Sequence, residues 1–123
     1  MSTIISFADL QPVKTVRQPD PDMRISGAPD RTTLNYFEDI DYGLRSGTWS
    51  AGPGAYRVQM PAAKHEFFHV LSGLIRISCD DTGTVRQFAP GETGIIPPGF
   101  KGIFEIVEAA SKFYVVIDHA NVK

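Results

Sequence analysis

The sequence predicts an all-β fold, an antiparallel barrel in a single domain, and three observations carry that expectation. From residue 32 onward, short runs rich in Val, Ile, Phe and Tyr recur at intervals of about 8–12 residues. Between them stand glycine- and proline-containing turns, and the apolar residues alternate as they do in half-buried strands. No apolar pattern of helical period runs long enough to supply the crossovers that parallel strands need. At 123 residues the chain fits one domain that buries roughly two-thirds of its unfolded surface.

Residues 1–31 differ from the rest. They hold Pro12, Pro19, Pro21 and Pro29 and few apolar runs. Proline fixes its own φ and pushes the preceding residue toward extended geometry. The segment reads as an extended N-terminal arm with one short helical turn near Ser6–Leu10. It lies on the barrel or on a partner subunit, or else frays. Residues 32–123 form the barrel domain. Its clearest strands are Tyr56–Met60, Leu74–Cys79, Val85–Phe88, Ile103–Val107 and Phe113–Ile117. "DDTG" at 80–83 suits a hairpin loop with Gly83 left-handed. "IPPG" at 96–99 suits a type II turn with Pro98 and Gly99 at its centre. The glycines of "SAGPGAY" join strands and open no helix, so they are not a phosphate loop.

Composition narrows the function classes. The chain is 42% hydrophobic and 21% charged, with a formal charge of −2, which argues against disorder, nucleic acid and anionic membranes. No apolar stretch is long enough to span a bilayer. "MSTIISFADLQPVK" lacks a basic start followed by an apolar core, so no secretion signal is expected. Cys79 is the sole cysteine, which excludes an intrachain disulfide and fits a cytoplasmic setting.

Glycine spacing makes the reading specific. Gly54, Met60, Ala62, Glu66 and Gly73 keep the register of G-(x)5-H-x-H-(x)3,4-E-(x)6-G, the first motif of the cupin family. Gly91, Pro97, Gly99, Gly102 and Ile106 keep that of the second, G-(x)5-P-x-G-(x)2-H-(x)3-N. The chain therefore resembles a small cupin, a double-stranded β-helix of the jelly-roll type. "GTWSAGPGAY" and "KGIFEIVEAASKFYVVID" extend the resemblance to the (S)-ureidoglycine aminohydrolase type of cupin domain, a subgroup that also includes a protein of ethanolamine utilisation. That enzyme needs a metal and carries two cupin domains. The resemblance implies a 3-His–1-Glu metal site, yet Met60, Ala62, Glu66 and Gly102 fill those four places and only the glutamate donates well.

His65 and His69 do not obviously rebuild the site. With Glu66 inward, both point outward, and they lie about 13 Å apart along an extended strand. A bulge could bring His69 beside Glu66. No metal is expected; if Zn, Mn, Ni or Fe binds, Glu66 and His69 are its candidate ligands. The same parity turns Tyr56, Met60, Phe68 and Phe104 inward and sets Lys112 and Tyr114 on one face of the last strand. These residues, with His69, are the candidate ligand-binding set. Glu66 is the candidate acid/base, since a carboxyl with few polar neighbours suits proton transfer. The alternative is that Glu66 is a satisfied polar group bonded to Lys112, Tyr114 or a backbone N–H. Trp49 reads as core, His119 as a surface residue, and Phe100 and Lys101 as a rim loop.

The expected function is binding of a small polar metabolite in the barrel, with an enzymatic role as lyase, isomerase or aminohydrolase. A non-catalytic binding or sensing module is the alternative, because the fold hosts many chemistries. A homodimer is expected because an open sheet edge needs cover and Ile103 and Val107 read as outward apolar positions.

Overall fold

Two long strands organise the molecule. β6 (Lys64–Cys79) and β9 (Lys101–Val122) pair antiparallel along almost their whole length. The computed structural model describes residues 2–122. The remaining strands are β1 (Val13–Arg17), β2 (Arg24–Ser26), β3 (Arg31–Asp39), β4 (Tyr42–Ala51), β5 (Gly54–Gln59), β7 (Val85–Phe88) and β8 (Thr93–Ile96). All pairings are antiparallel and belong to one nine-stranded sheet curled on itself. The first half of β6 and the second half of β9 lie in a wall ordered β1-β3-β4-β9-β6-β8. Their other halves lie in a second wall, β2-β5-β9-β6-β7. This is the jelly roll that the sequence predicts.

The corner where both strands pass between walls depends on Gly73. Register shifts cluster there, between Val70 and Ile75, and Gly73 has φ +82°. A Cβ at that position would fall on the carbonyl oxygen of Ala109. A residue without a side chain therefore lets β6 cross close over β9 while it bends. The sequence predicts strands at Leu74–Cys79, Ile103–Val107 and Phe113–Ile117. In the structure β6 begins at Lys64, and β9 runs unbroken through "EAAS", whose weak strand propensity is overridden by pairing on both sides.

Several local expectations hold. Gly83 (φ +70°) and Gly99 (φ +74°) take the left-handed positions, and the Phe100 amide donates to Pro97 O at 3.3 Å to close the PPG turn. Ser6 caps a single 3-10 turn over Phe7–Asp9. Residues before 32, expected as an arm, place β1 against β3 and β2 against β5. Phe68, Val70, Ile75 and Ile106 form the fully buried centre of the core. Among the described residues no helix is long and apolar enough to cross a membrane.

Candidate functional site

The inward faces of β1, β3, β4, β5, β6 and β9 enclose a cavity of about 610 Å³, a size suited to a small molecule. Register places its side chains in rows across the first wall. Arg17, Arg31 and Ala51 stand abreast; Thr15, Thr33, Trp49 and Lys112 form the next row. Beyond them come Asn35, Gly47 and Tyr114, and then Glu38 and Arg45 beside Val116 and Glu66.

Lys112 is the feature that the barrel is built around. It is 4% exposed, and its Nζ donates to Glu66 Oε2 at 2.7 Å. The same ammonium lies 4.7 Å from the ring centre of Trp49, 5.0 Å from Phe68 and 4.9 Å from Phe104. Three ring faces and one carboxylate thus replace the water that a buried cation loses. Without them, burying the charge would be prohibitive.

Two tyrosines flank the pair. Tyr56 stacks on Phe104 with centroids 5.6 Å apart, and the Arg31 guanidinium lies 4.8 Å from its ring centre. Burial pushes the Tyr56 phenol up to about 12, against the opposing pull of Arg31. Tyr114 donates from Oη to Asn35 Oδ1 at 2.7 Å. Burial raises its phenol to about 12 as well, with Arg45 opposing and Glu66 and Glu38 adding to the rise. Both are neutral hydroxyls at physiological pH.

The cupin resemblance implies a divalent metal, and the residues present do not fit one. Among the described residues no group of three or more His, Cys, Asp or Glu side chains could hold an ion. A Cβ at Gly102 would fall on the Ser78 carbonyl oxygen and within 2.7 Å of the Phe100 ring, so this backbone has no room for a histidine in the second-motif place. Glu66, the one retained donor, faces Lys112 instead.

The structure brings together Glu66, Tyr56, Met60, Phe104, Lys112 and Tyr114 around the cavity. Two candidates lie elsewhere. His69 points to the outer face, where its Nδ1 lies 2.9 Å from Thr93 Oγ1. No bulge interrupts β6 between Glu66 and Val70, so strand parity keeps the two residues on opposite faces. Phe68 is fully buried and backs Lys112 rather than lining the cavity. His65 is outward as expected, and its Nδ1 lies 3.3 Å from His119 Nε2. Trp49, read as core, also lines the cavity. Arg17, Arg31, Asn35, Arg45, Glu38 and Lys64 join it unforeseen. The alternation Arg31, Thr33, Asn35 carries a signal for one face of a strand, but its polar character hides which face is enclosed.

Residues 41–114 match the EutQ-like cupin domain. No curated protein matches the chain. Among solved structures, a protein of unknown function from Pseudomonas syringae pv. tomato is 28% identical, with a TM-score of 0.74 over 85% of this chain and 44% of that one. The Clostridium difficile EutQ protein is 22% identical, with a TM-score of 0.63 over 73% of this chain and 64% of that one. A cupin superfamily protein from Desulfitobacterium hafniense is 10% identical, with a TM-score of 0.59 over 72% of this chain and 77% of that one. The chain spans less than half of the Pseudomonas protein and less than two thirds of the Clostridium one. The two more distant likenesses concern the fold.

Proposed function

The chain belongs to the EutQ-like cupin domain family, and on that premise we propose that it acts on a small polar metabolite in the barrel, with Glu66 and Lys112 as the proton-transfer pair. The 2.7 Å contact between them on the wall of the cavity carries this reading. Glu66 accepts a proton from a carbon beside a carbonyl group. Lys112 donates a hydrogen bond to the carbonyl oxygen and stabilises the negative charge that develops there. Returning the proton to a neighbouring carbon makes the protein an isomerase; expelling a leaving group makes it a lyase. An aminohydrolase, the activity of the subgroup the sequence resembles, would instead use Glu66 to activate water.

Deuterium exchange tests the reading. The protein is incubated in heavy water with small 2-oxo, 2-hydroxy, amino and ureido acids, and proton loss at carbon is followed by NMR. Exchange on at least one compound is expected, with Glu66→Gln slowing it about 100-fold or more. Wild-type protein that leaves every compound unexchanged would sink the proton-transfer reading and favour a binding module.

The proposal includes a homodimer in a cytoplasmic setting. Support for the dimer comes from the outer face of the first wall, where Phe67, Ile95 and Phe113 are 45%, 64% and 42% exposed.

A further inference from the structure

Five of the side chains lining the cavity are cationic, namely Arg17, Arg31, Arg45, Lys64 and Lys112, and two are anionic, Glu38 and Glu66. The chain as a whole carries a formal charge of −2, so a surplus of three positive charges at this one place runs against the composition. Lys112 is neutralised by Glu66. The three arginines are not neutralised in this way: among the described residues the ion pairs are Arg57–Asp80, Arg76–Glu105 and Lys112–Glu66.

Arg17 and Arg31 are the sharpest case. They stand directly opposite each other in the β1–β3 register, a placement of like charges that destabilises a sheet. Arg31 is held there by its own donors, Nε to Arg17 O at 3.4 Å and Nη2 to Gln18 O at 3.1 Å, and by the Tyr56 ring beneath it. The neighbouring Asp30 carboxylate accepts from Gln18 Nε2 at 3.1 Å instead of pairing with either arginine. Two arginines at paired strand positions, both lining the cavity, suit a carboxylate, which takes charge-assisted N–H donors. One row inward lie Trp49 and Lys112, whose Nζ reaches Glu66.

We infer that the ligand is a small organic carboxylate, its anionic end taken by Arg17 and Arg31 and its reacting end reaching Lys112 and Glu66. The apolar walls of Trp49, Tyr56 and Phe104 favour a carbon skeleton over inorganic phosphate. The inference rests on the barrel's being a small-molecule site and does not depend on proton transfer occurring there.

A four-carbon series of one length tests it: succinate, succinamate, succinamide and 1,4-diaminobutane, with inorganic phosphate alongside. Melting temperature and titration calorimetry are read at low salt, where charge contacts are least screened. Succinate is expected to raise the melting temperature and to bind about tenfold or more tightly than succinamide, with succinamate between them. Arg17→Gln, at an exposed position, should weaken succinate about tenfold and leave the unliganded melting temperature unchanged or slightly higher, since it relieves the like-charge pair. Arg31→Lys keeps the charge and removes the fork, and should weaken it less than Arg31→Gln. Equal or better binding by succinamide or diaminobutane, tighter binding by phosphate, or no response to any member would overturn the inference. Succinate binding without deuterium exchange on any compound would leave it standing and sink proton transfer. Exchange on the amides of the same acids, run alongside, with succinate inert would do the reverse.

Discussion

Lys112 Nζ lies 2.7 Å from Glu66 Oε2, so the cation that faces the retained glutamate of this cupin barrel is part of the chain itself. The glutamate stands at the family's metal-ligand position, and Met60, Ala62 and Gly102 occupy the other three. An ammonium supplied from β9 meets the same electrostatic need that a divalent ion would meet, with one positive charge instead of two. It binds one carboxylate and three ring faces, and the rings are not donors to a transition metal.

Breaking this pair from one side should cost more than removing it. Lys112→Met leaves the Glu66 carboxylate partly buried without its counter-charge, and its side chain keeps only 18% exposure. A loss of about 2–4 kcal/mol is expected, toward the lower part of the range for buried pairs. Adding Glu66→Gln to Lys112→Met should recover much of that loss, since a flexible thioether packs well among the three rings. Urea unfolding of the four proteins closes the double-mutant cycle. Additive effects would show that the contact contributes nothing as a pair.

A second expectation concerns metal. Protein purified without chelators should carry no stoichiometric Zn, Mn, Ni or Fe, as measured by elemental analysis. Gly102→His should unfold the protein or destabilise it severely, because its Cβ has nowhere to go beside the Ser78 carbonyl and the Phe100 ring. Stoichiometric metal that disappears in Glu66→Gln would show that the glutamate exchanges its ammonium partner for an ion.

The fold was legible because three independent signals agreed: strand alternation, turn chemistry at Gly83 and Gly99, and motif spacing from Gly54 to Ile106. The site was half legible. Parity from Glu66 correctly turned Tyr56, Met60 and Phe104 inward, but parity does not say which inward residue lines space and which is packed solid. Phe68 is packed solid. Only a bulge would bring His69 inward, and β6 holds its register from Lys64 to Val70. The arginines carry no local signal, because Arg17 and Arg31 sit where the chain's polar, proline-rich beginning gives no apolar alternation. Their position follows from β1 and β3 pairing across many residues, which local pattern does not encode.

The tyrosines predict an alkaline limit. Tyr56 and Tyr114 have phenols raised by burial to about 12, from an ordinary value of 10.0. The folded state therefore favours their protonated forms more than the unfolded chain does. That stability is fully present below pH 10 and is lost as pH rises from about 10 to about 12, where the unfolded chain ionises first. The loss is at most about 3 kcal/mol for Tyr56 and smaller for Tyr114, whose phenol is more open to solvent screening. An ultraviolet titration of tyrosinate should show two of the four tyrosines ionising late, one fewer in Tyr56→Phe and in Tyr114→Phe. Full ionisation near pH 10 in folded protein would contradict the burial argument.

The last prediction concerns assembly. On the outer face of the first wall Ile95 stands beside Phe67, which stands beside Val115; in the next row Phe113 stands beside His69. Phe7, from the N-terminal turn, covers part of this face, with its ring stacked on Tyr36 at 4.7 Å and edge-on to Phe113 at 6.4 Å. Phe67 and Ile95 remain 45% and 64% exposed. Adjacent large apolar groups left open to water mark an interaction surface, and the proposed homodimer would bury this face against its own copy about a two-fold axis. Sedimentation equilibrium should therefore give about 27 kDa, twice the 13.5 kDa chain mass, at micromolar concentration. Ile95→Glu should give a folded monomer, because the new carboxylate points to solvent in one copy and into the apposed apolar face in two. Val85→Glu, at an exposed position on β7 of the second wall, serves as the control and should leave the dimer intact. A wild-type protein that sediments as a single 13.5 kDa species would show that this face is exposed for another reason.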